Sequence, residues 1–441
     1  MKRSAIVKFV MTTAAFAPAA VGATGYRTGD CGQFTVAVIP DTQNYVDHRH
    51  QKWAGYPFDA IDQFYRQMWW VAANARSAGG DIVFATHVGD IWQNYSEWVD
   101  PEHVARGFKW MPNSGSETAI SPKVHTRAYE IPAAAQGFRL IAGRLPFSVV
   151  PGNHDYDALW TDPAHPPRPE LKQNGTRHVG GLTGFRSILS DQSEFFRGQP
   201  WYAGANDGGA DSAQIFTAGQ CRFLHIGLQN HAPNASLAWA EAIIRRNPGL
   251  PTIVTTHDYL GRNGKRNMKS NPISSDLDPL DNDPEKMWDK FVSRHDQIFL
   301  VLSGHVTGQG FSIDANRSGK RVYQMMADYQ GRDRTSKVAG ASGATGDGWL
   351  RLLTFRLDGE KPTIGVRTYS THFGKYASEI PTYGEWYKER EGQGALTDAQ
   401  FLQRDEFTVN LDDFHPRFGW PGRQAASGDA KGGVTPRASR R

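Results

Sequence analysis

Residues 147–155 read FSVVPGNHD: four residues with the character of a buried strand, a Pro-Gly break, and then three polar side chains at its mouth. Four other segments repeat the design. AVIPDTQ (37–43) ends in Asp41 and Gln43, FATHVGD (84–90) in Asp90, IVTTHD (253–258) reaches His257, and LVLSGH (300–305) reaches His305. Five apolar runs therefore deliver metal-competent or proton-carrying groups at their carboxyl ends, and in an open α/β sheet that edge is where ligands bind. Singly, each group has an ordinary explanation, as a helix cap or a hydrogen-bonded histidine. Jointly the ordinary explanation weakens, because it needs several polar groups set separately into apolar strand ends at a cost in desolvation. One shared multivalent cation accounts for all of them.

The pattern around these runs predicts alternating strands and helices. Strands are expected at 34–39, 82–86, 147–150, 222–227, 252–256, 298–302, 322–326, 350–357 and 363–369. Helices are expected at 58–76, 235–246 and 284–295, the second with Asn234 as its N-cap. Near-continuous apolar strands covered by helices imply a sheet buried on both faces. After Gly310 strand follows strand, which implies a second sheet.

One elaborated domain over 30–385 is expected, with lid-like insertions near 98–143 and 156–209 and a C-terminal extension of the domain at 386–415. Residues 1–23 read as a removed export signal: a basic start, a short apolar stretch and a small-residue cleavage site. That stretch is shorter than the ~20 residues a bilayer requires, so an exported protein, periplasmic or secreted and without a membrane span, is expected. The formal charge of +4 is concentrated in the leader and in the basic tail at 416–441, which lacks the apolar content to fold. The body between them is mildly acidic and offers no face for nucleic acid. Cys31 and Cys221, each just ahead of a strand-like run, could form one disulfide or remain two independent thiols.

The order D-x-Q, G-D, G-N-H-D, H, G-H resembles the calcineurin-like metallophosphoesterase superfamily, whose pattern is D-x-H, G-D, G-N-H-[DE], H, G-H-x-H; VYQMMADYQ and DGWLRLLTF resemble an exported bacterial branch of it. The resemblance implies an α/β fold of metallophosphoesterase type, a four-layer sandwich of two β-sheets flanked by α-helices. It also implies two divalent metal ions, Mn, Fe, Zn or Mg, and hydrolysis of small or polymeric phosphate mono- or diesters by metal-bound hydroxide. Asp90 would bridge the ions. Asn153, His257 and His305 would complete the second site, Asp41 and Gln43 would serve the first, and His154 would donate a proton to the leaving oxygen with Asp155 as its orienting partner.

Two positions depart from the family pattern. Gln43 and Thr307 stand where histidines are expected, so the first metal loses two imidazoles and should be held more weakly than the second. The Thr307 hydroxyl remains as a donor, and Asp328 is the candidate for a compensating carboxylate. Beyond His257, Arg262, Lys265, Arg266 and Lys269 form a basic loop, read either as solvated or as a hold on a second anionic group of a substrate. Two rival functions stay open: a secreted, metal-stabilised binding protein with little turnover, and a metallohydrolase of another ester class.

Overall fold

The computed structural model describes residues 31–94, 96, 105, 109–111, 126–161, 170, 177–267 and 280–419. The expected leader, most of the basic tail, Lys269 and parts of both expected insertions lie outside them. In chain order the strands are β1 (Gln33–Ile39), β2 (Ile82–His87), β3 (Lys109–Met111), β4 (Phe147–Val149), β5 (Ala158–Thr161), β6 (Arg177–Gly180), β7 (Tyr202–Asn206), β8 (Asp211–Ala218) and β9 (Cys221–Gly227). They continue with β10 (Thr252–Thr255), β11 (Ile298–Ser303), β12 (Gly308–Ala315), β13 (Arg321–Asp328), β14 (Trp349–Arg356), β15 (Thr363–Ser370), β16 (Lys375–Tyr376) and β17 (Phe407–Asn410).

Among the described residues the fold is mixed α/β with two seven-stranded sheets. One runs β16-β15-β14-β1-β2-β4 with β17 added beside β15; the other runs β12-β13-β11-β10-β9-β8-β7. In the first sheet β1, β2 and β4 are parallel, and in the second β9, β10, β11 and β13 are. A small third sheet, β3-β5-β6, stands apart from both. All nine strands expected from the sequence are present.

The two large sheets share a core. Phe34, Val36, Phe84 and Phe355 of the first meet Phe216, Phe223, Phe299 and Leu300 of the second, with Phe34 and Phe355 stacked at 4.8 Å between ring centroids. On its other face the first sheet packs against helices Ile61–Ala73 and Ile131–Ile141 through Phe64, Met68, Phe138 and Ile141. The second sheet packs against Asn234–Arg246 and Pro284–Lys290 through Leu237, Ile243, Met287 and Trp288. Strands covered on both faces need continuous apolar runs, and β2, β10 and β11 are buried along their whole length.

Several expectations are corrected. The segment 98–143 is not lid alone: Ile131–Ile141 is a core helix whose apolar face was hidden in the sequence by its Pro- and Ser-rich surroundings. Within 156–209, helix Thr183–Leu189 buries Phe185 and Leu189, and β7 forms an edge of the second sheet. Asn234 is the first residue of its helix, preceded by Pro233, and its carboxamide accepts from Lys290 Nζ at 2.9 Å instead of capping. The tail begins later than 416, because Phe414–Phe418 is helical, Phe418 enters the shared core, and Arg417 Nη1 donates to the Arg321 carbonyl at 2.7 Å.

Cys31 and Cys221 form a disulfide, with Cα atoms 5.1 Å apart and a sequence separation of 190. It joins the amino-terminal end of β1 to that of β9, and so ties one large sheet to the other. A loop of that length loses much of its unfolded-state entropy on closure, so reduction, or Cys221→Ser, should cost about 2–5 kcal/mol. Thermal unfolding with and without reductant checks this, and equal stabilities would contradict it.

Candidate metal centre

Six parallel strand ends carry the polar groups: β1, β2 and β4 of one sheet and β10, β11 and β13 of the other. Contacts across the sheets bring these ends together. The His305 backbone N–H donates to both Asp41 carboxylate oxygens, at 3.3 and 3.2 Å, and His257 Nδ1 lies 2.9 Å from the Val88 carbonyl. Asp41, Asp90, Asn153, His257 and His305 thus meet around one locus. Two glycines permit the close approach. A Cβ on Gly152 would fall 2.2 Å from Asp90 Oδ1, and one on Gly304 would fall 2.3 Å from Asp41 Oδ1. Asp90 and His305 themselves hold φ of +52° and +67°, a left-handed conformation that non-glycine residues adopt at an energetic cost and that clusters at functional sites.

Asp90 is the hub. Its Oδ1 accepts the His154 backbone N–H at 2.9 Å and lies 3.2 Å from His257 Nε2; its Oδ2 accepts from Gln43 Nε2 at 3.1 Å and lies 4.0 Å from His154 Nε2. Burial opposes ionisation of Asp90, but the rings of His257, His154 and His305 outweigh it and hold the carboxyl well below the usual range.

The arrangement around His257 calls for a positive charge. Because Nδ1 faces a carbonyl it carries the proton, which leaves Nε2 as a lone pair in the neutral ring. That lone pair lies 3.0 Å from Asn153 Oδ1, 3.2 Å from Asp90 Oδ1 and 3.1 Å from His305 Nδ1. Two oxygen acceptors pointed at a third acceptor repel one another unless a proton or a cation sits between them. Ligand atoms of Asp90, His257 and His305 lie within 4.8 Å of one another, the spread a single ion can bridge. Carboxylate, carboxamide and imidazole donors suit Mn, Fe or Zn. A second anchor steadies the set, since His305 Nε2 lies 3.7 Å from the buried Asp258 carboxylate.

Beside this cluster stands a more acidic one. Burial, reinforced by the charge of Asp328, raises the Asp41 carboxyl well above its usual range, and burial raises Asp328 to about 6. Thr307 Oγ1 donates to Asp328 Oδ2 at 3.4 Å, so the two residues considered as substitutes for missing imidazoles touch each other. Gln43 places its amide nitrogen on Asp90, while its buried Oε1 has no hydrogen-bond partner among the described residues.

Asp155 has another task than orienting His154. Its carboxylate accepts the Ile91 and Gly152 backbone N–H groups at 2.9 and 2.8 Å, which clamps the two ligand-bearing turns together. His154 Nδ1 instead lies 2.6 Å from the Gln93 carbonyl. Gln93 in turn is held by Glu130, whose Oε2 accepts the Gln93 and Asn94 backbone N–H groups. Sequence reasoning missed Gln93, Glu130 and Asp258. A backbone carbonyl carries no residue signature, Glu130 lies 37 positions from the Gln93 it holds, and only Asp258, adjacent to His257, could have been found.

No family model matches the chain. Comparison with curated proteins finds a relative in Bacillus subtilis (strain 168), "Uncharacterized protein YvnB", 23% identical over 386 residues. The alignment covers 86% of this chain and 22% of the relative, so the chain spans about a fifth of that protein's length.

The pKa directions set the stability of the metal-free protein above pH 6.5. Burial would lower His257, but Asp90 and its hydrogen bond raise it to about 10; burial, then the charge of Asp90, raises Asp155 to about 7. His257 keeps a proton that the unfolded chain releases near pH 6.5, so its contribution falls as pH rises from 6.5 toward 10, whereas Asp155 keeps one released near 3.8 and its contribution is lost between 3.8 and about 7. The chelator-treated protein should therefore melt at progressively lower temperature across that range, and saturating Mn²⁺ should flatten the dependence by taking the proton's place. Parallel pH profiles with and without the ion would contradict a cation at His257.

Proposed function

We propose that this chain is an exported metal-dependent phosphoesterase of the calcineurin-like type, hydrolysing phosphate mono- or diesters. One observation carries the reading: Asp90 Oδ1, Asn153 Oδ1, His257 Nε2 and His305 Nδ1 converge beside the His154 ring, on the residues that the family's motif order selects. The packing of two sheets on each other with helices outside is what the four-layer sandwich of that family requires. For export, the Cys31–Cys221 disulfide suits an oxidising compartment, and among the described residues no helix is long and apolar enough to cross a membrane.

Asp90, Asn153, His257 and His305 would hold the firmer cation. Asp41, Asp90, Asp328 and the unpaired Gln43 Oε1 would hold the looser, harder one, with Thr307 steadying Asp328. Cations there supply a nucleophile at neutral pH and neutralise phosphoryl charge. The chain's own residues do the rest. The Gln93 carbonyl accepts the His154 Nδ1–H and fixes the ring's orientation with Nε2 on the Asp90 side; in the imidazolium form Nε2 carries a second proton and passes it to the departing oxygen, leaving the neutral Nδ1–H tautomer. Asp155 keeps the Asp90 and His154 turns at a fixed separation. A binding protein has no use for an imidazole tethered in this way, which favours turnover over the binding-only alternative.

His154→Ala should retain its metal and lose about 10²–10⁴-fold in rate, the usual worth of a positioned proton donor. Asp90→Ala should lose metal and activity together. Metal counting after dialysis should find one ion retained and one lost, and two equally retained ions would contradict the asymmetry. Absence of turnover of aryl phosphate mono- and diesters by the wild type with Mn, Mg or Zn would overturn the enzymatic reading.

A further inference from the structure

Of the basic loop beyond His257, only part is available to a ligand. Arg266 is committed to structure: its guanidinium pairs with Glu285 and Asp314, at 2.7 and 2.6 Å, and lies over the Trp288 ring. Arg262 is different. It is exposed, makes no ion pair among the described residues, and donates from Nη1 to the Thr307 carbonyl at 3.0 Å. Since Thr307 also bonds Asp328, Arg262 sits one residue away from the strand-end centre.

Arg262 is also the near wall of a cleft of about 650 Å³. Arg404 also lines it, likewise exposed and without an ion pair among the described residues, its Nη1 donating to Gln393 Oε1 at 2.9 Å. Phe311 and Phe407, 5.0 Å apart between ring centroids, supply an apolar wall, and the remaining lining is carboxamide and glycine with no carboxylate. Behind the lining, the buried charges cancel: Arg332 pairs with Glu391 and Asp405, and Arg351 pairs with Asp405. The two exposed guanidiniums leave the cleft lining with a net charge of two positive units.

A further feature is independent of charge. Gln309 lines the cleft and is almost wholly buried; its Oε1 accepts from Arg332 Nη2, while its Nε2 has no hydrogen-bond partner among the described residues. An unsatisfied buried donor in a native structure calls for an acceptor, and in a cleft that acceptor can come from a ligand. Guanidiniums that present forked donors select phosphate over water, and the phenylalanine pair suits the carbon skeleton that carries the phosphate.

We propose that this cleft is a substrate subsite for a second phosphate group, carried on the arm of the ester that is not attacked. Arg262 and Arg404 hold the phosphate, Gln309 supplies a donor, and Phe311 and Phe407 pack against the connecting carbons. The substrate class is thereby narrowed to organic bisphosphates or short stretches of a phosphodiester polymer. This subsite rests on the phosphoesterase reading above.

The test compares two p-nitrophenyl phosphodiesters, one with a plain propyl arm and one whose arm ends in a phosphate. Wild type should prefer the phosphorylated arm in kcat/KM, the more so at low salt. Arg404→Gln and Arg262→Gln should each cut that preference by about tenfold, the scale of one charge-assisted contact. Arg404→Gln is the more telling, because Arg404 has no bond to Thr307. No preference in wild type, or the same preference in all three proteins, overturns the subsite while leaving the phosphoesterase reading standing. Should neither diester turn over, the diesterase half of that reading fails, and calorimetric titration with propane-1,3-diyl bisphosphate decides the cleft: binding about tenfold weaker in Arg404→Gln supports it, and equal affinity overturns it.

Discussion

The Asp90 carboxylate has to remain charged in a place from which water has been removed, and the architecture follows from that demand. A buried anion is tolerable only when it is fully hydrogen-bonded and met by opposite charge. Here the compensation comes from both sheets: Gln43 and His154 from the ends of β1 and β4, and His257 from the end of β10. The sheets therefore have to dock with their carboxyl ends in register. A shift of one sheet on the other would strand the charge.

Local strain is accepted at this point. The left-handed backbone at Asp90 and His305, and the two glycines pressed against carboxylate oxygens, are concessions that the surrounding packing enforces. The C-terminal extension contributes to that enforcement from the far side of β13. Its Glu391 and Asp405 pair in complete burial with Arg332 and Arg351, and Arg351 Nη1 also donates to the Met326 carbonyl, two residues before Asp328. An ion network without solvent admits few alternative arrangements, which explains why the extension folds as part of the domain.

The five apolar runs and their terminal residues were legible because desolvated strands have few ways to carry aspartate and histidine. The strands of the two sheet cores were legible for the same reason. What escaped was whatever depended on a partner remote in sequence. The helix Ile131–Ile141 lies among Pro- and Ser-rich residues that mask its period, β12 and β17 have alternating or short patterns, and Asp155 looks like a catalytic partner until its bonds to Ile91 and Gly152 are seen. Asp328 could be named from the sequence only as a compensating carboxylate, and its place beside Thr307 depends on the pairing of β12 with β13.

Asp41 and His305 are hydrogen-bonded to each other although 264 positions apart, with Asp90, Asn153 and His257 spread between them along the chain and Asp328 beyond. No nascent or half-folded polypeptide can assemble that set, because it comes into being only when the second sheet closes on the first. On the proposed metal binding and export, ion choice would follow from where closure happens: a chain kept open during translocation would sample the metal pool at its destination and bypass that of the compartment in which it was synthesised.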